Sequence, residues 1–212
     1  GVWDLQEVRD KQLASEWSYD GQGALFTWGD GAVGGLGLSN TTDVSSPTQL
    51  PGTTWGKTFT SLDCGNQGAS AIKTDGSLWA WGYNSYGELG FNSTTQYSSP
   101  KQVGTDTTWS TIARGLEFSL ATKTDGSLWA WGRNYNGQLG LNENSNYYSS
   151  PKQIPGTSWK QIRQGANWSS VLAIKTNGTL WAWGYNAHTG VLGHNNTTNY
   201  SSPRQVGTDT TW

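Results

Sequence analysis

Apolar and polar positions alternate in short bursts along the chain, each ended by glycine. The clearest burst, Leu78-Trp79-Ala80-Trp81, puts Leu78 and Ala80 on one face of an extended segment and Trp79 and Trp81 on the other. Both faces are apolar, so a strand here must be covered on both sides, as happens when radially arranged sheets stack against one another. The heptapeptide Gly-Ser-Leu-Trp-Ala-Trp-Gly fills 76–82 and 126–132. It recurs as Gly-Thr-Leu-Trp-Ala-Trp-Gly at 178–184 and degenerately as Gly-Ala-Leu-Phe-Thr-Trp-Gly at 23–29. Asp75-Gly76, Asp125-Gly126 and Asn177-Gly178 stand before three of these bursts and supply turn chemistry, which predicts hairpins.

The bursts are one marker of a longer period. Their last tryptophans, Trp28, Trp81, Trp131 and Trp183, are 53, 50 and 52 residues apart. Ser-Ser-Pro ends at Pro47, Pro100, Pro151 and Pro203, and a further tryptophan recurs at Trp55, Trp109, Trp159 and Trp212. Three independent markers keep one period, which identifies a tandem repeat. Short upstream strands are predicted to end at Gly65, Gly115 and Gly165, and the segments after each Ser-Ser-Pro read as outer strands whose proline suits an edge. The predicted fold is all-β: β-propeller blades of about four antiparallel strands, in four repeats over about 20–55, 56–109, 110–159 and 160–212. Trp79, Trp81, Trp129, Trp131, Trp181 and Trp183, with Gly82, Gly132 and Gly184, are read as structural repeat residues.

Residues 1–19 differ in kind. Asp4 and Glu7 have capping-box spacing, and Leu5, Val8, Leu13 and Trp17 share much of one helical face. A short helix over about 5–15 is therefore expected, within a linker or cap.

Composition explains how such a chain finds a core. Only 33% of its 212 residues are hydrophobic, but 14 are Trp, 9 Tyr and 4 Phe, each able to bury a large apolar area. The 29 glycines and a 13% charged fraction favour turns over helices. A net charge of −2 offers no basic face for phosphates, so nucleic acid is not expected as a partner. No apolar run approaches the length of a membrane span, so no membrane insertion is expected. The single cysteine, Cys64, is read as a small buried hydrophobe.

The segments Thr74–Gly90 and Thr124–Gly140 resemble the signature of regulator of chromosome condensation repeats: Asp-Gly, an aromatic strand, then Trp-Gly-x-Asn-x-x-Gly-x-Leu-Gly. The resemblance covers roughly residues 20–212 and implies a propeller, usually of seven blades, that serves as an interaction platform. The family often places a histidine before the hairpin; here those positions hold Gly68, Phe118 and Trp168. The fourth repeat also carries two extra residues before Thr176 and one in its following loop. The nucleotide exchange and chromatin binding of the founding member are therefore not carried over. Four hairpins are served by three upstream strand pairs. The expectation is that the native chain continues, that another subunit completes the ring, or that four blades close by themselves.

Catalytic chemistry is weakly represented. His188 and His194 have no cysteine or carboxylate close by in sequence that would complete a metal site. Asp75 and Asp125 stand at equivalent turn positions, which spread around a ring rather than converge as a carboxylate pair. No enzyme activity, cofactor or metal is predicted. The loops before each Ser-Ser-Pro are rich in Tyr, Asn, Ser and Thr, so Tyr97, Tyr147, Tyr148, Tyr200, Asn146 and Asn199 are the candidate binding-loop residues. Trp79, Trp129 and Trp181 either line a sugar platform or pack between blades. Gly1–Gln12 is similar in style to the Gly-Val-Trp linkers of bacteriophage virion proteins. The expected function is thus a non-catalytic structural and adhesive module of a phage tail fibre or virion surface. It would be extracellular, binding a host glycan or a neighbouring protein subunit, with self-association completing the propeller. The alternative is a cellular protein-interaction propeller without nucleotide-exchange activity.

Overall fold

The computed structural model describes residues 24–56, 58–65, 67–144, 146–165 and 168–212. The helix expected over 5–15 lies outside them. The first repeat supplies two paired strands, β1 (Phe26–Gly29) and β2 (Val44–Gln49). Each later repeat forms a four-stranded antiparallel sheet whose strands lie in chain order. The second contains β3 (Leu62–Gly65), β4 (Gly68–Ile72), β5 (Leu78–Gly82) and β6 (Tyr97–Gln102). The third contains β7 (Trp109–Arg114), β8 (Phe118–Lys123), β9 (Leu128–Arg133) and β10 (Tyr147–Ile154). The fourth contains β11 (Trp159–Gln164), β12 (Ser170–Lys175), β13 (Leu180–Gly184) and β14 (Tyr200–Gln205). The chain is an all-β array of propeller blades, with the first strands of neighbouring sheets, β3, β7 and β11, side by side.

The two apolar faces of the Leu-Trp-Ala-Trp strand are covered by different neighbours. Leu78 and Ala80 of the second blade share a buried cluster with Trp109, Ile112, Ala121 and Trp131 of the third. Leu128 and Ala130 of the third blade share one with Trp159, Ile162, Val171, Ala173 and Trp183 of the fourth. Leu50 of the first repeat packs with Trp55, Ala69, Ala71 and Trp81. Register makes this possible, because a small residue faces each half-buried indole: Ala71 opposite Trp79, Ala121 opposite Trp129 and Ala173 opposite Trp181.

Each buried indole also ties its blade to the preceding one. Trp81 Nε1 donates to Gly35 O at 3.1 Å, Trp131 Nε1 to Glu88 O at 2.9 Å and Trp183 Nε1 to Gln138 O at 3.0 Å. The Ser-Ser-Pro marker lies in a bulge of the fourth strand, where the register shifts. Its first serine docks on the preceding blade: Asn92 N–H donates to Ser149 O at 2.6 Å and Asn142 N–H to Ser201 O at 2.7 Å.

Candidate functional site

The blades present two rims. One carries the hairpin turns between second and third strands; the other carries the loops joining first to second and third to fourth strands.

At the hairpin rim the polar residues of the repeat are used locally. Asp75 accepts from Ser77 N–H at 2.9 Å and Ser77 Oγ–H at 2.6 Å, and Ser77 Oγ accepts from Trp79 Nε1 at 2.8 Å. Asp125, Ser127 and Trp129 repeat most of this arrangement, and Asn177, Thr179 and Trp181 all of it. The hydrogen bonds from Ser77 hold the Asp75 carboxyl below its ordinary pKa. Lys73 lies over Trp55 and Trp79, at 5.0 and 3.9 Å from the ring centroids; Lys123 and Lys175 sit similarly over Trp109/Trp129 and Trp159/Trp181. Asp106 pairs with Lys123 at 2.5 Å, which lowers the Asp106 pKa to about 2. Asp75 and Asp125 therefore each close their own turn, and Trp79, Trp129 and Trp181 are braced by lysines within their own blades.

The loop rim begins with an asparagine shared by the second to fourth repeats. Asn84, Asn134 and Asn186 are fully buried and accept from the N–H groups of Leu89, Leu139 and Leu192 at 2.8–3.0 Å. Their Nδ2 groups donate to carbonyls of the following loop, including Thr95 O, Glu143 O and Asn196 O. Four of the sequence-nominated binding residues serve similar internal roles. Tyr97 stacks edge-on against Phe91 and accepts from Lys101 Nζ at 2.8 Å. Tyr148 O–H donates to Glu143, and Tyr200 stacks on His194 and accepts from Asn196 Nδ2. Asn199 Oδ1 accepts from the N–H groups of Asn186 and Ala187. Asn146 and Tyr147 face solvent instead.

Beside Tyr147 is a group that repeat reasoning did not single out. Tyr86 packs edge-on to Tyr135 at 6.1 Å and to Tyr147 at 6.3 Å. The Arg133 guanidinium lies 5.3 Å from the Tyr86 ring centroid and 5.0 Å from that of Tyr135, and it pairs with Glu117. The signal was present in the alignment of repeats with each other. Arg133 stands where its neighbours have Tyr83 and Tyr185, Tyr135 where they have Ser85 and Ala187, and Tyr86 where they have Asn136 and His188.

The histidine-like positions before the hairpins have three different outcomes. Phe118 is buried, Trp168 is 72% exposed, and at Gly68 a Cβ would stand 3.3 Å from Nη2 of Arg114 of the next blade. Arg114 is buried; its Nη1 donates to Ser70 Oγ at 3.0 Å and its N–H to Asp63 Oδ2 at 2.9 Å. Cys64 holds the equivalent position one repeat earlier but is exposed, against the expectation of a buried hydrophobe. The reason is architectural: Arg114 packs on the inner strands of the blade before it, whereas the first repeat has only β1 and β2 among the described residues. His188 stacks near Tyr185 and His194 on Tyr200, and among the described residues no group of three His, Cys, Asp or Glu could hold a metal ion.

Glu88 is the buried acid of the loop rim. Its Oε2 accepts from Tyr86 N–H at 2.8 Å, and its Oε1 has no hydrogen-bond partner among the described residues. Burial raises its pKa from 4.5 to about 7, with its backbone hydrogen bonds and Arg114 opposing the rise. Because the folded value lies above the unfolded one, the protonated acid favours folding below pH 4.5. That advantage is lost as pH rises through about 7. Gln138, at the same place in the next repeat, accepts from Asn136 N–H at 2.9 Å while equally buried. Glu88→Gln is therefore expected to stabilise the fold by about 2–3 kcal/mol at high pH and hardly at all below pH 4.5. Urea unfolding across the pH range checks this, and a pH-independent effect would refute the assignment.

Comparisons with known proteins agree with the geometry. Family models described as Regulator of chromosome condensation (RCC1) repeat match residues 22–72, 75–122 and 125–172, and a second such model matches 59–88 and 109–138. The human E3 ubiquitin-protein ligase HERC2 is 32% identical over 84 residues, which is 38% of this chain and 2% of the ligase. Among solved structures, human WBSCR16 is 25% identical with a TM-score of 0.76, over 88% of this chain and 49% of that one. Prp20p from Saccharomyces cerevisiae, solved in work on its binding to Gsp1p and histones, is 20% identical with a TM-score of 0.74, over 88% and 47%. The same yeast protein bound to Kap60 gives 19% and 0.75, over 89% and 45%. The chain thus spans about half of each of these solved chains. With the repeat model matching more than half of its residues, the chain belongs to the Regulator of chromosome condensation (RCC1) repeat family.

Proposed function

We propose that this chain is a non-catalytic protein-interaction module of the propeller type, without nucleotide-exchange activity. The observation that carries this reading is the division of labour among its polar residues. Those at matching places in the second to fourth repeats, such as Asp75, Ser77 and Asn84 in the second, serve turns and loops of their own blade. Phe59, Tyr135 and Trp168, exposed aromatic residues without a counterpart in the other repeats, stand on loops, where recognition residues mounted on a rigid scaffold belong. Two solved structures support the analogy, since Prp20p binds Gsp1p and histones and forms a complex with Kap60 on this same fold. The virion-adhesion reading, with its extracellular location and glycan ligand, shares the repeat fold and polar loops with the interaction reading and is set apart only by the linker-like residues 1–12, which lie outside the described residues. The interaction reading draws on the folded repeats themselves.

The test is affinity capture by the immobilised chain from an extract of the source organism, followed by calorimetry with the purified partner. A saturable complex with one protein is expected. Absence of any saturable protein partner, or a turnover abolished by changing one loop carboxylate, would overturn the reading.

A further inference from the structure

Blade stacking in this chain uses one joint three times. At each joint a strand tryptophan enters a socket on the preceding blade. Trp81, Trp131 and Trp183 stand over Gly37, Gly90 and Gly140, where an added Cβ would lie 2.8–3.0 Å from the indole Nε1. A serine seats beside it: Ser98, Ser149 and Ser201 cover Gly34, Gly87 and Gly137, and their carbonyls accept from the N–H groups of Ser39, Asn92 and Asn142 at 2.6–2.7 Å. A further tryptophan closes the joint. Trp55, Trp109 and Trp159 pack edge-on to the strand aromatics at 5.9–6.3 Å and are at most 5% exposed.

The fourth blade carries the same socket uncovered. Gly190 and Gly193 keep the left-handed φ of their counterparts, +66° and +71°, yet the nearest atoms to an added Cβ belong to their own blade, Asn196 O and Val206 Cγ1. Val191 O and Asn195 N–H stand where Glu88 O and Asn92 N–H hold the third blade, with no such partner among the described residues. Trp212 hangs from its hairpin as Trp109 does, its N–H donating to Gly178 O at 3.2 Å, but it is 57% exposed. Leu180 and Val206 are half-buried where Leu128 and Ile154 are sealed. The first repeat carries the matching knobs. Trp28 holds the place of Trp81 and is 60% exposed, Phe26 that of Trp79 at 49%, and Ser45, in the place of Ser98, faces solvent.

Each uncovered group at one end of the array is therefore what the other end lacks. The strands β1 and β2 lie three blades from β13 and β14, in an array that spans about half of the solved chains it matches, so the two ends meet between molecules. We infer that a second copy of this chain docks head to tail on the fourth blade, with its Trp28 over Gly193 and its Ser45 over Gly190, while Trp212 of the first copy packs against its Phe26 and Trp28. In this joint Trp28 Nε1 donates to Val191 O and Ser45 O accepts from Asn195 N–H, as at the three joints within the chain. Different faces meet, so the copies close into a ring or extend as a line. Burial of exposed indoles drives the contact, which makes it insensitive to salt.

The test is sedimentation velocity on the whole chain over a range of concentrations, and association that grows with concentration is expected. Trp28→Glu spoils the first-repeat face and Trp212→Glu the fourth-blade face. Each is expected to weaken association by about tenfold or more. The urea midpoints of the dilute monomers are expected to stay unchanged, because both indoles are exposed. Mixing the two variants is expected to restore a single joint, since each retains the face the other has lost, and to give a one-to-one pair that grows no further. Trp168→Ala, also exposed but on a loop away from both faces, is expected to leave association unchanged. A chain monomeric at every concentration, association that survives either charged substitution, an equal loss with Trp168→Ala, or variants that stay apart when mixed would each overturn the inference.

Discussion

Trp131→Ala is expected to destabilise the chain by about 4 kcal/mol, while Trp129→Ala, two residues away on the same strand, costs about 1–2 kcal/mol. Trp131 is fully buried among Ile72, Leu78, Leu89, Val103 and Ile112, edge-on to Trp109 at 6.0 Å. Removing it leaves a cavity between two blades that cannot collapse without separating them. The hydrogen bond it makes is the smaller loss, because Glu88 O still accepts from Ser119 Oγ at 2.8 Å. Trp129 is only half-buried and borders Lys123, so its truncation opens onto solvent. Urea denaturation of the two variants measures the difference. Equal losses at 129 and 131 would show that stacking between blades is not what the inner indole provides.

Gly87→Ala is the second large effect, at about 3 kcal/mol or more, against about 1 kcal/mol for Gly104→Ala. Both glycines have positive φ, +74° and +61°, so both substitutions carry the left-handed backbone penalty. They differ in what the new methyl meets. At Gly104 nothing lies within 4 Å, whereas at Gly87 it would stand 2.4 Å from Ser149 Cα and 2.5 Å from Ser149 Cβ on the next blade. Since the obstacle is backbone, relief requires the blades to part. Thermal or urea unfolding of both variants checks this, and equal losses would mean that φ alone sets the requirement for glycine.

These two substitutions mark where sequence reading reached its limit. The alternation at Leu78–Trp81 and the turn residues at Asp75-Gly76 identify strand and hairpin without help, because each is a local property of consecutive residues. The apolar character of both strand faces correctly required cover on both sides. What no single repeat reveals is that its markers belong to different neighbours: Ser149 is small because Gly87 abuts it from the previous blade, and Trp131 reaches Glu88 there. Cys64 looked like core because it is small and apolar, yet its exposure depends on what the preceding blade places over it. The loop tyrosines follow the same logic. Tyr97, Tyr148 and Tyr200 share one place in three repeats and are engaged within their own loops, while Tyr86 and Tyr135 interrupt the repeat and meet at the rim.

By itself the sequence determined that this protein is an array of β hairpins of one period, with tryptophan supplying most of its core. Those features follow from backbone preference and from side-chain alternation within a few residues. The tertiary structure alone decided which indoles are sealed, which glycines cannot change, why Glu88 holds its proton to higher pH, and which tyrosines converge on one rim. All of these depend on contacts between residues of successive repeats, and only the stacking of one blade on the next brings those residues together.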